Sequence, residues 1–419
     1  MSSAILFDRG PRQCSHRVLS TGRNLIMVLL LAAFHTASAW TNGQLLIWMD
    51  ADRASAMQLV ANKFEQDYGI PVRIETPEKI TDNFPLAAQA AKGPDIVIWA
   101  HDKVGEWADS GVIAPIEVTA AYKQQFYPMV WDAVRHRKQL WGYPISLEAI
   151  GLIYNKKLVS GAPPTQLSDL IPFHQKLKSE HSGMNSILWD YSNPYYSWGI
   201  LASGGGYIFG ETANGYDPRN VGVANDGAVQ GLSEIAHLID IGVMPRMASS
   251  GDVPQQLMAQ GKLAMMISGP WDWPNLMKSG IDFGVVPMPG INGRLGKAFV
   301  GVQVAYINRS SPNRDLAKEF LEKYAFTKES LRALDHVKPI GIPAMISLYD
   351  ELSQNNPLLG EMKRCVDEGE VMPNIPQMGR FWTSVAAALE LANSGRCGPA
   401  ATLEDAQREM LKGIQDRRP

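Results

Sequence analysis

Short apolar runs alternate along this chain with stretches in which apolar residues return every three or four positions. Residues 44–49 (QLLIWM) read as a buried strand. Met57, Val60 and Phe64 then recur at helical spacing until Gly69, where the helix is expected to stop. Residues 71–75 (PVRIE) are strand-like, and Gly93-Pro94 turns the chain into 95–99 (DIVIW), another buried strand. A second stretch of the same kind begins near Leu152, with residues 264–268 (AMMIS) and 299–308 (FVGVQVAYIN) as later strands. Ser310-Ser311-Pro312 before Leu316, Phe320 and Tyr324 predicts a capped helix with Pro near its first position. The last hundred residues carry helical patterns and no convincing strand. Strands separated by helices predict the α/β class with a mostly parallel sheet.

The length of 419 residues is about three times a ~150-residue domain, so two α/β bodies are expected. No repeat of 20–50 residues and no low-complexity linker divides them. A chain that crosses between two bodies more than once has this appearance. With 45% hydrophobic and 19% charged residues the composition is globular, which excludes wholesale disorder, collagen and coiled coil. Lys+Arg 39 against Asp+Glu 42, with no basic stripe, argues against nucleic acid as a partner.

The N-terminus changes this balance. Arg9, Arg12, Arg17 and Arg23 precede an apolar run over 25–34, and Ala37-Ser38-Ala39 follows it. A basic segment, an apolar core of about ten residues and an A-x-A site predict a secretory signal peptide over 1–39, cleaved after Ala39. The run is short for a bilayer span, which needs roughly 20 residues. Removing four Arg and Asp8 leaves 35 basic and 41 acidic groups, net −6. The mature product is expected to be exported and soluble. Cys14 leaves with the leader. Cys365 and Cys397 remain, and in an oxidising compartment they form either a disulfide or two unpaired buried thiols.

Enzymatic machinery is not visible. Six histidines stay after cleavage (His101, His136, His174, His181, His237, His336), none spaced as a metal pair, and neither HExxH nor CxxC occurs. No metal and no cofactor is expected. Gly204-Gly205-Gly206 lacks the rest of a phosphate loop, and no G-x-S-x-G elbow is present. His101-Asp102 at a strand end reads as a local turn rather than half of a triad.

Aromatic residues beside charges at strand ends are visible. Trp99-Ala100-His101-Asp102-Lys103 follows one strand, and Asp50-Ala51-Asp52-Arg53 leaves another, with one of the two aspartates expected to cap the next helix. Gly269-Pro270-Trp271-Asp272-Trp273, Phe381-Trp382 and Asn193-Pro194-Tyr195-Tyr196-Ser197-Trp198 add further aromatic turns. Trp48 and Trp131 are the expected core tryptophans. Flat apolar rings among carboxylates, amides and guanidinium groups suit a sugar, whose faces are apolar and whose rim is a row of hydroxyls.

The chain resembles the periplasmic maltose/maltodextrin-binding proteins of bacterial ABC transporters, within the family 1 extracellular solute-binding proteins. The residues that carry the resemblance include Gly93-Pro94-Asp95-Ile96, Trp99-Ala100-His101-Asp102, Trp131-Asp132-Ala133-Val134-Arg135 and Leu152-Ile153-Tyr154-Asn155-Lys156. Gly269-Pro270-Trp271, Phe299-Val300-Gly301-Val302 and Met372-Pro373-Asn374-Ile375-Pro376-Gln377-Met378 continue it in order over nearly the whole mature chain. The resemblance implies the type II periplasmic-binding-protein fold, two α/β lobes joined by three crossovers around a ligand cleft. By position the first lobe comprises 40–147 plus 304–351 and the second 151–299 plus 357–419, with hinges at 148–150, 300–303 and 352–356.

It also implies a binding set. Asp52, Arg53 (lysine in the family), Asp102, Lys103 (arginine in the family) and Glu148 would bond sugar hydroxyls. Tyr195, Trp271 and Trp382 would stack on glucosyl faces, Trp99 would line the same cleft, and Asp82 would serve one end of it. Asn193 stands where the family carries a ligand-binding glutamate, Thr383 where it carries a stacking tyrosine, and Ala386 where it carries an arginine. The expectation is a monomer that binds maltose or maltodextrin by hinge closure. It would deliver the sugar to a membrane permease and have a chemoreceptor as a further partner. Trehalose, sucrose or another α-glucoside is the alternative ligand, and a secreted glycosidase the rival class.

Overall fold

The computed structural model describes residues 43–212, 215–246 and 252–414. The expected leader and its cleavage site lie outside the described residues.

Strand Leu45–Trp48 is the first element, and Asp50 then accepts the Arg53 N–H to cap helix Ala51–Tyr68. The helix buries Met57, Val60 and Phe64 and ends at Gly69, whose φ of 67° is the left-handed cap that favours glycine. The chain returns along Val72–Glu75, parallel to the first strand, and later as Ile96–Ala100 on its other side. Three elements that arrive much later complete this sheet, the briefest of them Glu370–Val371 beside the start of Phe299–Ile307. Phe299–Ile307 pairs antiparallel with Ile96–Ala100 and with Tyr143–Ala149, and Ile342–Pro343 closes the edge. The sheet is therefore mixed rather than mostly parallel, because Phe299–Ile307 runs against both Ile96–Ala100 and Tyr143–Ala149.

The second sheet has four strands in the order Phe283–Val286, Gly151–Asn155, Leu263–Ser268, Asn185–Leu188. Only Ile150 separates the last strand residue of the first sheet from the first of the second. The chain thus leaves the first sheet after Ala149 and returns at Phe299. Its closing helices, Met378–Asn393 and Pro399–Leu411, pack in the second core with Trp198, Phe299 and Phe381. Helix Pro357–Glu368 contacts both Phe283–Val286 and Tyr143–Ala149 and so lies against both sheets.

Several local expectations change. Trp131 is buried, but Trp48 is only partly so, because its Nε1–H reaches out to Glu75 Oε2 at 2.9 Å. The fully buried tryptophans also include Trp107, Trp189, Trp198 and Trp273. Helix Arg314–Phe320 starts after Asn313, not at the serines; Ser311 Oγ donates to Asp95 Oδ1 at 2.5 Å and accepts Asn313 N–H at 2.9 Å in the turn before the helix. The last hundred residues contain two short strands, Ile342–Pro343 and Glu370–Val371, which are too brief to leave a pattern. Gly204-Gly205-Gly206 is a packing device. It ends helix Pro194–Gly204, and a Cβ at Gly204 would overlap the Gly227 carbonyl at the start of helix Asp226–Asp240.

Asp95 ties the first sheet together. It is 1% exposed and accepts from Leu46 N–H (2.8 Å), Ser311 Oγ and Asn313 Nδ2 (3.2 Å). Asp95→Ala should cost about 3 kcal/mol or more in urea unfolding, since charged hydrogen bonds vanish and Leu46 N–H and Ser311 Oγ lose an acceptor. Cys365 and Cys397 are both free, the first buried and the second exposed, so neither the bridge nor a pair of buried thiols is found. Burial pushes the Cys365 thiol up to about 12. Without reductant, a thiol reagent should label Cys397 in the native protein and Cys365 only after unfolding. A single slow phase for both would contradict this arrangement.

Candidate functional site

In open α/β sheets ligands gather beyond the carboxyl ends of strands, and the charged and aromatic turns of this chain sit there. Asp52 and Arg53 follow Leu45–Trp48, Asp102 and Lys103 follow Ile96–Ala100, and Trp271 follows Leu263–Ser268. Asn193 and Tyr195 open the helix that follows Asn185–Leu188, and Trp382 comes from helix Met378–Asn393. These elements enclose a cleft of about 740 Å³. Asp52, Arg53, Trp99, Asp102, Lys103, Glu148, Asn193, Tyr195, Trp271 and Trp382 all line it. Asp82 does not. It is exposed on helix Ile80–Gln89, and its neighbour Thr81 takes the place on the wall.

The floor is a charged chain. Arg53 Nη2 donates to Glu148 Oε1 and to Pro339 O, the latter at 3.3 Å, while Gln303 Nε2 donates to Glu148 Oε2 at 3.1 Å. Burial alone would lower the Arg53 pKa; the facing charges of Glu148, Asp50 and Asp52 outweigh it and raise it. Because Asp50 is the helix cap, Asp52 remains free of that duty and pairs with Lys338 at the cleft rim. Lys103 pairs with Glu106 at 3.0 Å.

The opposite wall is aromatic. Tyr195 and Trp271 have ring centroids 6.2 Å apart, and Phe299 lies 5.5 Å from Trp382 and 6.3 Å from Tyr195. Trp271 lies flat because Gly269 lacks a side chain; a Cβ there would overlap its six-membered ring. Asn193 caps helix Pro194–Gly204 through Oδ1, which accepts Tyr195 N–H at 3.0 Å, so its oxygen already has a structural partner.

Where the walls meet, Trp382 Nε1–H donates to Asp102 Oδ2 at 3.1 Å, a direct bond across the cleft. Burial pushes the Asp102 carboxyl up to about 6, against the opposing pull of Lys103 and the Trp382 bond. At neutral pH it is ionised and only accepts hydrogen bonds. Its neighbour His101 points inward. His101 Nδ1 accepts Val302 N–H (3.0 Å), which leaves Nε2–H to donate to Met372 O (2.9 Å). Burial holds this imidazole down at about 4, so it stays neutral and structural.

Sequence reasoning missed Gln303, Met372 and Lys338, which also line the cleft, and quoted Tyr196 only as part of an aromatic turn. Gln303 was readable as the one amide inside an apolar strand (FVGVQVAYI). Lys338 was not, because nothing local marks a lysine just past the end of helix Lys328–Val337.

Set beside known proteins, residues 50–330 match the model of the bacterial extracellular solute-binding protein family. The chain belongs to that family, whose fold is two-lobed. It is 28% identical over 390 residues to the galactooligosaccharide-binding protein of Bacillus subtilis, covering 90% of each chain. It is 27% identical over 389 residues to the maltotriose-binding protein of Pyrococcus abyssi, covering 89% of this chain and 83% of the other. With a maltooligosaccharide ABC transporter solute-binding lipoprotein of Streptococcus pneumoniae it shares 26% over 372 residues, 87% of each.

Asp102 and His101 give the unliganded protein a paired pH response. The folded Asp102 keeps its proton from its ordinary 3.8 up to about 6, so its contribution to stability is present at low pH and lost as pH rises through 6. The folded His101 refuses a proton between its ordinary 6.5 and about 4, so its contribution is lost as pH falls through that range. The two oppose each other over nearly one window. Asp102→Asn should therefore show a steeper fall in Tm between pH 6.5 and pH 4 than the unchanged protein. Parallel Tm curves would refute the opposition.

Proposed function

We propose that this chain is the exported, periplasmic binding component of an ABC importer for a neutral oligosaccharide, with maltose and maltodextrins as its ligands. One observation carries the reading. A single cleft sets a wall of Tyr195, Trp271 and Trp382 against ionised hydrogen-bonding groups, Asp52, Arg53, Asp102, Lys103 and Glu148. Pyranose rings need both surfaces at once. The relatives, binding proteins for maltotriose, maltooligosaccharide and galactooligosaccharide, support the oligosaccharide class.

Capture works by closure. Ligand that touches both lobes stabilises the closed form over the open one, and this differential affinity drives the population. Residues 148–150, 300–303 and 352–356 serve as the hinges. The closed monomer then docks on the membrane permease, and a chemoreceptor is a second reader of the same form. Hydrolysis has no place in this scheme. The relatives are described as binding proteins, and capture by closure leaves the sugar intact.

Calorimetry with maltose, maltotriose, trehalose, sucrose and a galactooligosaccharide tests the reading; maltose or maltotriose should bind most tightly. Asp102→Ala should weaken binding about ten- to hundredfold, the worth of a charged hydrogen bond of ~1.5–3 kcal/mol. Trp382→Ala should weaken it about tenfold or more through lost stacking. No heat with any of the five sugars would remove the assignment.

A further inference from the structure

The cleft has a side chamber. A second cavity of about 250 Å³ shares the Asn193, Tyr196 and Trp271 walls with the main one. Its remaining side is built at the ends of two adjacent strands, where Asp190 follows Asn185–Leu188 and Asp272 follows Leu263–Ser268. Gln255 enters from helix Val253–Ala259.

These polar groups are fixed in place. Asp272 Oδ2 accepts Ser268 Oγ–H at 2.5 Å, and Oδ1 accepts Gln255 Nε2–H at 2.7 Å. A carboxylate offers about four acceptor positions, so two remain after these bonds. Burial pushes the carboxyls of both Asp272 and Asp190 upward, as befits groups facing a partly dry space. The chamber holds about eight times the ~30 Å³ share of a water molecule, room enough for a sugar ring.

We propose that this chamber is an additional sugar subsite, reached past Trp271, and that it selects oligosaccharides of three or more units over disaccharides. The outermost ring lays an apolar face on Trp271 or Tyr196 and donates its hydroxyls to Asp272 and Asp190. Gln255 and Ser268 act as positioning residues that hold the Asp272 carboxylate toward the ring. This rests on the oligosaccharide reading above.

Calorimetry on the mature chain with maltose and maltotriose, and in parallel a galacto-disaccharide and galacto-trisaccharide, separates the possibilities. The trisaccharide of the series that binds should do so at least tenfold more tightly than its disaccharide. Asp272→Asn and Gln255→Ala should each remove most of that advantage while leaving disaccharide affinity within about twofold. Gln255 is only partly buried, so its variant tests the chamber even if Asp272→Asn folds poorly. Equal affinity for the two lengths, or variants that weaken both lengths alike, would overturn the subsite. Absence of binding by every sugar would overturn the oligosaccharide reading and the subsite with it.

Discussion

The site depends on keeping carboxylates charged in a crevice that is half out of water. Removing a carboxylate from solvent costs several kcal/mol unless donors replace the water it loses. Each acid that faces the cleft meets this cost differently. Glu148 has the Arg53 guanidinium on one oxygen and the Gln303 amide on the other. Asp102 has an indole N–H and a nearby ammonium, which do not fully offset its burial, and its carboxyl is displaced toward neutrality as a result. Asp52 stays at the rim, with Lys338 beside it and water within reach. The graded arrangement gives one rigid acceptor in the floor, one adjustable acceptor in the middle and one solvated acceptor at the edge.

The same polar bonds tie the crossovers together. Glu148 and Gln303 come from the two strands that carry the chain between sheets, and Arg53 joins both to the first helix. On the other face of the crossover, His101 spans Val302 and Met372. Asn374 adds a third tie, donating through Nδ2 to the Ala133 and Arg135 carbonyls at 2.8 and 2.9 Å.

Much of this was legible in the sequence, for physical reasons that differ by element. Strands at 45–48 and 96–100 are continuous apolar runs because both faces are covered, and the helix between them shows its period and its glycine stop. The aromatic turns were conspicuous because strand ends seldom need indoles. What escaped notice were interactions that join distant segments. Trp48 looked like core until Glu75 was placed beside it, and the tie from Ser311 to Asp95 joins segments more than two hundred residues apart. Asp82 fell out of the cleft because a one-residue shift on a helix turns a side chain by about 100°. The antiparallel run of Phe299–Ile307 could not be read locally at all, since strand direction is set by the partner rather than by the strand.

That strand has a consequence for biogenesis. It lies between Ile96–Ala100 and Tyr143–Ala149, yet it is synthesised only after the whole second sheet. A nascent chain that ends before Phe299 therefore exposes two open strand edges and lacks the staple between them. Such long-range closure makes the first half slow to consolidate. Until that late staple arrives, neither edge strand of the first half has its native partner.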